Sequence, residues 1–241
     1  MYIVYMYIDN KKIIFLHIPK TGGSSIETIL ENNFNTQKNY LRHNTLSQIF
    51  NKIKDKDLNK YIIFTVLRDP LERIVSTYNH SVRANIIKKM TFQEYVNYIF
   101  KYYSNDFEQK EYNSNDYMKF HGNKVLDKRH IETLQYWINI PNIVNFNDLK
   151  LNEKNNCLVL TNKEITIYLL RFNQLNDDFN KFKKVLNVDN NLPHTNINPL
   201  ANSLKASNND YNKIINAKDN MLNIYSKEIS ILNDENYMTF R

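Results

Sequence analysis

The sequence predicts an α/β protein, built as one three-layer domain with a central, mostly parallel sheet flanked by helices. Three observations carry that expectation. Short unbroken apolar runs alternate with helix-like segments, the first two runs each end in a loop that opens a helix, and no internal repeat divides residues 1–241. Alternating strand and helix patterns belong to parallel sheets, and strands buried on both faces read as continuous apolar runs.

Residues 12–18 form the first buried strand, with Ile13, Ile14, Phe15 and Leu16 consecutive. Pro19 stops it, Gly22-Gly23 turn the chain, and Ser24 or Ser25 caps a helix running to about Asn33. Ile26, Ile29 and Leu30 give that helix an apolar face. A second strand spans residues 61–67 and ends at Arg68-Asp69-Pro70, where Pro70 suits the first turn of a helix carrying Ile74, Val75 and Tyr78 inward. Thr91-Phe92-Gln93-Glu94 reads as a capping box for a helix to about Tyr103. Residues 104–124 are polar and read as a loop or insertion. Residues 129–138 are helix-like, strands are expected at 143–146, 157–160 and 165–172, and helices at 174–186 and 211–232.

Composition narrows the function classes. The chain is 42% hydrophobic and 13% aromatic, enough to bury a core and exclude a disordered chain. A net charge of +7 and a pI near 9.2 favour anionic partners. No dense basic stripe with interleaved aromatics points to nucleic acid. Cys157, the single cysteine, excludes an intrachain disulfide and a multi-cysteine metal site, and its apolar neighbours make it a core residue. No stretch approaches the roughly 20 apolar residues of a membrane helix. The apolar residues 1–8 lack a basic flank and read as neither signal nor anchor, so the expected compartment is the cytoplasm.

Ligands of parallel α/β sheets bind at the carboxyl ends of strands, and the two strongest motifs lie there. The first is His17-Ile18-Pro19-Lys20-Thr21-Gly22-Gly23-Ser24-Ser25. Amides at a helix start carry partial positive charge and bind phosphate oxygens. Gly22 and Gly23 allow close approach, Thr21, Ser24 and Ser25 add hydroxyls, and Lys20 adds a full charge. A Walker loop places its lysine after the glycines. Lys20 precedes them and no paired carboxylates flank the loop, so a kinase with bound Mg²⁺ is not indicated and no metal is expected.

The second motif runs from Arg68 to Tyr78. Arg68 ends a strand, Ser76 lies two turns into the next helix, and Arg73 lies between them. Arginine's planar fork suits phosphate. Together the motifs describe a ligand with anionic groups at both ends of a ribose.

On these residues the chain resembles the carbohydrate sulfotransferases related to heparan sulfate 2-O-sulfotransferase, a P-loop-like α/β family. The resemblance implies the donor 3′-phosphoadenosine 5′-phosphosulfate (PAPS), with residues 17–25 at the 5′-phosphosulfate and Arg68 with Ser76 at the 3′-phosphate. Weaker echoes are residues 167–175, the loop 192–196 and the segment 225–232. Asn173 stands where the family often has Glu, and residues 104–124 have no counterpart. The family needs no metal.

Sulfuryl transfer requires an in-line acceptor, a base and a cation at the leaving phosphate. Lys20 is the expected cation. His43 is the expected base, standing where the family places a catalytic histidine, with Arg42 beside it for an anionic acceptor. Glu27 and Glu72 are the alternative bases, and His17, His80, His130 and His194 are weaker candidates. Lys205 is a second expected phosphate contact, and Tyr136 and Trp137 border the acceptor cleft or pack in the core. The acceptor expected is a carbohydrate hydroxyl. A tyrosylprotein or small-molecule sulfotransferase, or a non-catalytic glycan-binding module, would keep the same donor loops.

Overall fold

The computed structural model describes residues 7–34, 43–84, 91–104, 117–120, 123–193 and 224–233. The chain forms two compact units, each from two segments: Met1–Arg68 with Leu134–Ile197, and Asp69–Thr133 with Asn198–Arg241. In chain order the elements begin β1 (Tyr7–Ile8), β2 (Ile13–Leu16), α1 (Gly23–Phe34), α2 (Leu46–Phe50) and β3 (Ile62–Leu67). Then come α3 (Pro70–Arg83), α4 (Phe92–Ser104), β4 (Tyr117–Phe120), β5 (Asn123–Asp127) and α5 (Leu134–Ile138). The remainder are β6 (Lys150–Lys154), β7 (Cys157–Thr161), β8 (Thr166–Arg171), α6 (Leu175–Leu186) and α7 (Ser226–Leu232).

The first unit is built on a six-stranded sheet of order β1-β2-β3-β8-β7-β6. Its centre is parallel, β2 with β3 and β3 with β8, and both margins are antiparallel. The central strands are the unbroken apolar runs of the sequence. Ile13, Phe15, Phe64, Val66, Tyr168 and Leu170 pack on one face with Ile26, Ile29 and Leu30 of α1 and Phe179, Phe182 and Leu186 of α6. Ile14, Leu16, Ile63, Ile167 and Leu169 of the other face are equally buried, so both faces are covered as the α/β reading requires. Cys157 lies in the first core, and burial pushes its thiol up to about 11.

The edge strand β6 is polar and exposed, with a lysine at each end. Such residues are common guards of an open edge. It joins β7 through Asn155-Asn156, both at positive φ (55° and 58°), a two-residue hairpin of the kind asparagine favours.

The second unit holds α3, α4, the β4–β5 hairpin and α7. Asp69 caps α3 by accepting from the Glu72 amide at 3.0 Å, and Pro70 takes the first helical position. The expected capping box opens α4: Thr91 N–H donates to Glu94 Oε2 at 2.7 Å, and Glu94 N–H donates to Thr91 Oγ1 at 3.3 Å. Burial raises the Tyr95 phenol well above its ordinary range.

Three expectations change. Residues 143–146 are not a strand: Ile140 and Val144 form a lone bridge around a turn at Pro141-Asn142, and Phe146–Asp148 is a 3₁₀ turn capped by Asn145. Residues 129–138 are not one helix. The Ile131 and Glu132 carbonyls are taken by the Tyr225 hydroxyl and by Arg73 Nη2 (2.7 Å for the latter), so they do not serve a helical ladder. The polar stretch 104–124 contains β4 and the start of β5.

Candidate active site

The loop after β2 is set by its own hydrogen bonds. Ile18 N–H donates to the Leu16 carbonyl at 3.1 Å, the Thr21 hydroxyl donates to the Ile18 carbonyl at 2.8 Å, and Ser25 N–H donates to the Gly22 carbonyl at 3.2 Å. Thr21 is buried and serves the loop's shape instead of facing outward. Helix α1 begins at Gly23, so Ser24 and Ser25 are half-buried in its first turn, correcting the expectation that either caps it. Lys20 lies in the left-handed region at φ 65°, a conformation that costs L-residues energy and concentrates where loops are functional.

Both glycines are required by protein neighbours. Gly22 has φ +85°, and a Cβ there would stand 3.1 Å from the Phe172 ring. At Gly23 a Cβ would lie 2.3 Å from the His17 imidazole. His17 is only 4% exposed, and its Nδ1 sits 2.6 Å from Glu27 Oε1. Its ring stacks on Phe15 at 5.4 Å. Glu27, an alternative base, is therefore buried against His17.

His43 meets the same imidazole edge to face at 4.7 Å. Its Nδ1 lies 2.9 Å from the His17 carbonyl. A carbonyl only accepts, so Nδ1 carries the proton and Nε2 of the neutral ring is the atom able to take one. The segment after His43 is pinned by a capping box at α2, with Gln48 N–H donating to Thr45 Oγ1 (3.3 Å) and Thr45 N–H to Gln48 Oε1 (2.9 Å). The signal Thr45-x-x-Gln48 was visible in the sequence and unused.

Arg68 closes the loop from the adjacent strand end. Its Nη1 donates to the Lys20 carbonyl at 3.0 Å, and its guanidinium lies 4.2 Å over the Phe172 ring. Phe172, which touches both Gly22 and Arg68, was missed because an aromatic after a strand carries no distinguishing pattern. Beside it a pocket of about 350 Å³ opens, lined by Ser25, Phe172, Asn173, Gln174, Leu192 and Pro193 among others. The neighbouring Arg171 is committed to Asp178, donating to both carboxylate oxygens at 2.7 and 2.9 Å, which raises its pKa.

The second motif divides. Arg73 is not a phosphate ligand: it is 1% exposed, donates to the Glu132 carbonyl and pairs with Glu228 at 3.8 Å. Ser76 is half-buried on α3, and Glu72 lies in that helix's first turn. His80 and His130 face each other at 6.3 Å within the same unit, and Trp137 of the first unit is fully buried. Arg42, His194 and Lys205 lie outside the described residues.

Among the described residues no helix is long and apolar enough to cross a membrane, and no cluster of three or more His, Cys, Asp or Glu could hold a metal. No curated protein and no solved structure matches the chain. The sequence model of the sulfotransferase family matches residues 4–238, almost the whole chain and both of its units. With the α/β sheet and the basic loop that follows β2, this match establishes that the chain belongs to the sulfotransferase family, transferases that move a sulfuryl group onto an acceptor.

Proposed function

We propose that this protein transfers the sulfuryl group of PAPS to a hydroxyl of a carbohydrate, with His43 as base and residues 1–241 acting as one domain. The observation carrying the reading is the contact set around the loop: Lys20 and Arg68 beside the start of the twelve-residue helix α1, with His43 held on the His17 carbonyl. The donor set fits a phosphosulfate. It combines two cations, the serine hydroxyls of the first turn and helix-terminal amides, while the Glu27 carboxylate is paired with His17.

PAPS when bound supplies a sulfuryl group on a phosphate leaving group. Lys20 neutralises negative charge at the loop, and Arg68 holds the Lys20 carbonyl while presenting its fork toward phosphate. His43 Nε2 takes the acceptor hydroxyl's proton, and the resulting imidazolium keeps its Nδ1–H on the His17 carbonyl. The motif from Arg68 to Tyr78 adds Ser76 at the 3′-phosphate, as in the resembled carbohydrate sulfotransferases, and Lys205, after Pro199 in the sequence, is a second proposed phosphate contact. The basic surface suits an anionic glycan acceptor. A cytoplasmic location fits a chain whose single thiol is buried.

Calorimetric titration with the product nucleotide, 3′-phosphoadenosine 5′-phosphate (PAP), tests the donor. PAP is expected to bind and ATP to bind weakly; tight ATP binding with no PAP binding would sink the reading. Incubating desulfated polysaccharides with labelled PAPS tests the acceptor, and label transferred only to tyrosyl peptides or small phenols would overturn the carbohydrate assignment.

A further inference from the structure

The mechanism leaves the buried polar pair beside the loop, His17 and Glu27, unused. His17 and Glu27 are 4% and 5% exposed, beside Phe15, which itself stacks on Phe64. An imidazole and a carboxylate are costly to bury, and an apolar pair of the same size would pack there at lower cost. The pair is also constrained on every side. Glu27 Oε1 holds His17 Nδ1 at 2.6 Å, Gly23 presses against the imidazole so closely that no Cβ fits, and Phe15 stacks on the ring. His17 also meets His43: its ring faces the His43 ring at 4.7 Å and its carbonyl accepts from His43 Nδ1 at 2.9 Å.

We propose that Glu27 and His17 are positioning residues for the reaction: the buried pair holds the His17 carbonyl and ring so that His43 keeps its proton on Nδ1 and offers Nε2 to the acceptor. The inference rests on the reading of His43 as base. The link is geometric. A residue whose side chain is locked at Nδ1 and wedged against Gly23 has little freedom to rotate its peptide group, so the acceptor seen by His43 stays in place. An imidazole without that acceptor samples both tautomers, and the wrong one has no basic Nε2.

The test uses the full chain, long-range ¹H–¹⁵N spectra of the imidazoles, turnover and PAP calorimetry. In the wild type, His43 is expected as the Nδ1–H tautomer. Glu27→Ala should give a mixed His43 tautomer and lower kcat about tenfold or more, with PAP affinity within about threefold of wild type. Glu27→Gln keeps an oxygen that accepts from His17 Nδ1–H, and it should retain kcat within about threefold.

A folded Glu27→Ala protein with wild-type kcat and a single His43 tautomer overturns the inference. So does a kcat loss matched by an equal loss of PAP affinity, which would mark the pair as support for the loop alone. Where Glu27→Ala fails to fold, Glu27→Gln and the wild-type spectrum decide, and a wild-type His43 protonated on Nε2 overturns the proposal. His43→Ala separates the two readings. If it retains wild-type kcat, the base assignment falls and the inference with it. If it is inactive while Glu27→Ala is unaffected, only the inference falls.

Discussion

The loop after β2 and the start of α3 look alike in sequence, each a strand end followed by proline, basic residues and hydroxyls, but the structure uses their charges differently. Within the first unit, Lys20 and Arg68 meet at the loop itself, Arg68 donating to the Lys20 carbonyl and lying over Phe172. Within the second unit, Arg73 is sealed at 1% exposure between the Glu132 carbonyl, Glu228 and the Tyr225 ring. A basic residue near a strand end is thus no evidence of an anion site until its partners are known. The comparison predicts that substitutions in the first region cost function and those in the second cost stability.

Arg73→Ala should show the largest effect. Removing one partner of a buried pair takes the guanidinium from the Glu228 carboxylate and a donor from the Glu132 carbonyl, a loss of about 3–5 kcal/mol. Urea unfolding measures it, and Arg73→Lys, which keeps the charge, should lose less. PAP affinity in whichever variant stays folded is expected within about twofold of wild type. A clear loss of PAP affinity in folded Arg73→Lys would break the comparison.

Lys20→Ala comes next. Removing a cation that stabilises developing charge should lower kcat by about 10²–10³-fold, with the urea midpoint close to wild type. Arg68→Ala follows. A hydrogen bond from a charged donor contributes about 1.5–3 kcal/mol, so PAP should bind roughly tenfold to a hundredfold more weakly by calorimetry. An Arg68→Ala protein that binds PAP normally but unfolds early would move Arg68 into Arg73's class.

The same contrast explains what the sequence shows and what it hides. β2, β3 and β8 are legible because burial on both faces forces unbroken apolar runs. β6 is not, since an exposed edge strand selects polar residues, and its only signal is the Asn155-Asn156 turn. The loop's anion chemistry is legible in the order of Lys20 and the glycines. The reason for Gly23 is hidden, because it is the His17 ring and not a ligand that excludes a side chain there. Arg73 is opaque for a like reason. Its carbonyl partner lies 59 residues away, so nothing local separates a buried cation from a phosphate ligand.

The smallest predicted effect sharpens the comparison most. Lys20 is held at φ 65°, where an L-residue is disfavoured by about 1–2 kcal/mol and glycine is not. Glycine's extra freedom in the unfolded chain returns roughly 0.5–1 kcal/mol of that gain. Lys20→Gly should therefore raise stability by up to about 1 kcal/mol while losing turnover as Lys20→Ala does. Lys12 is a second left-handed lysine, at φ 54°, whose ammonium holds the Tyr61 hydroxyl at 3.2 Å and pairs with Asp9 and Asp55. There the released strain is offset by loss of these contacts, and Lys12→Gly should show little gain or none. If Lys20→Gly instead destabilises the fold, the Lys20 side chain supports structure, and the division between a functional loop and a structural helix start fails at its clearest residue.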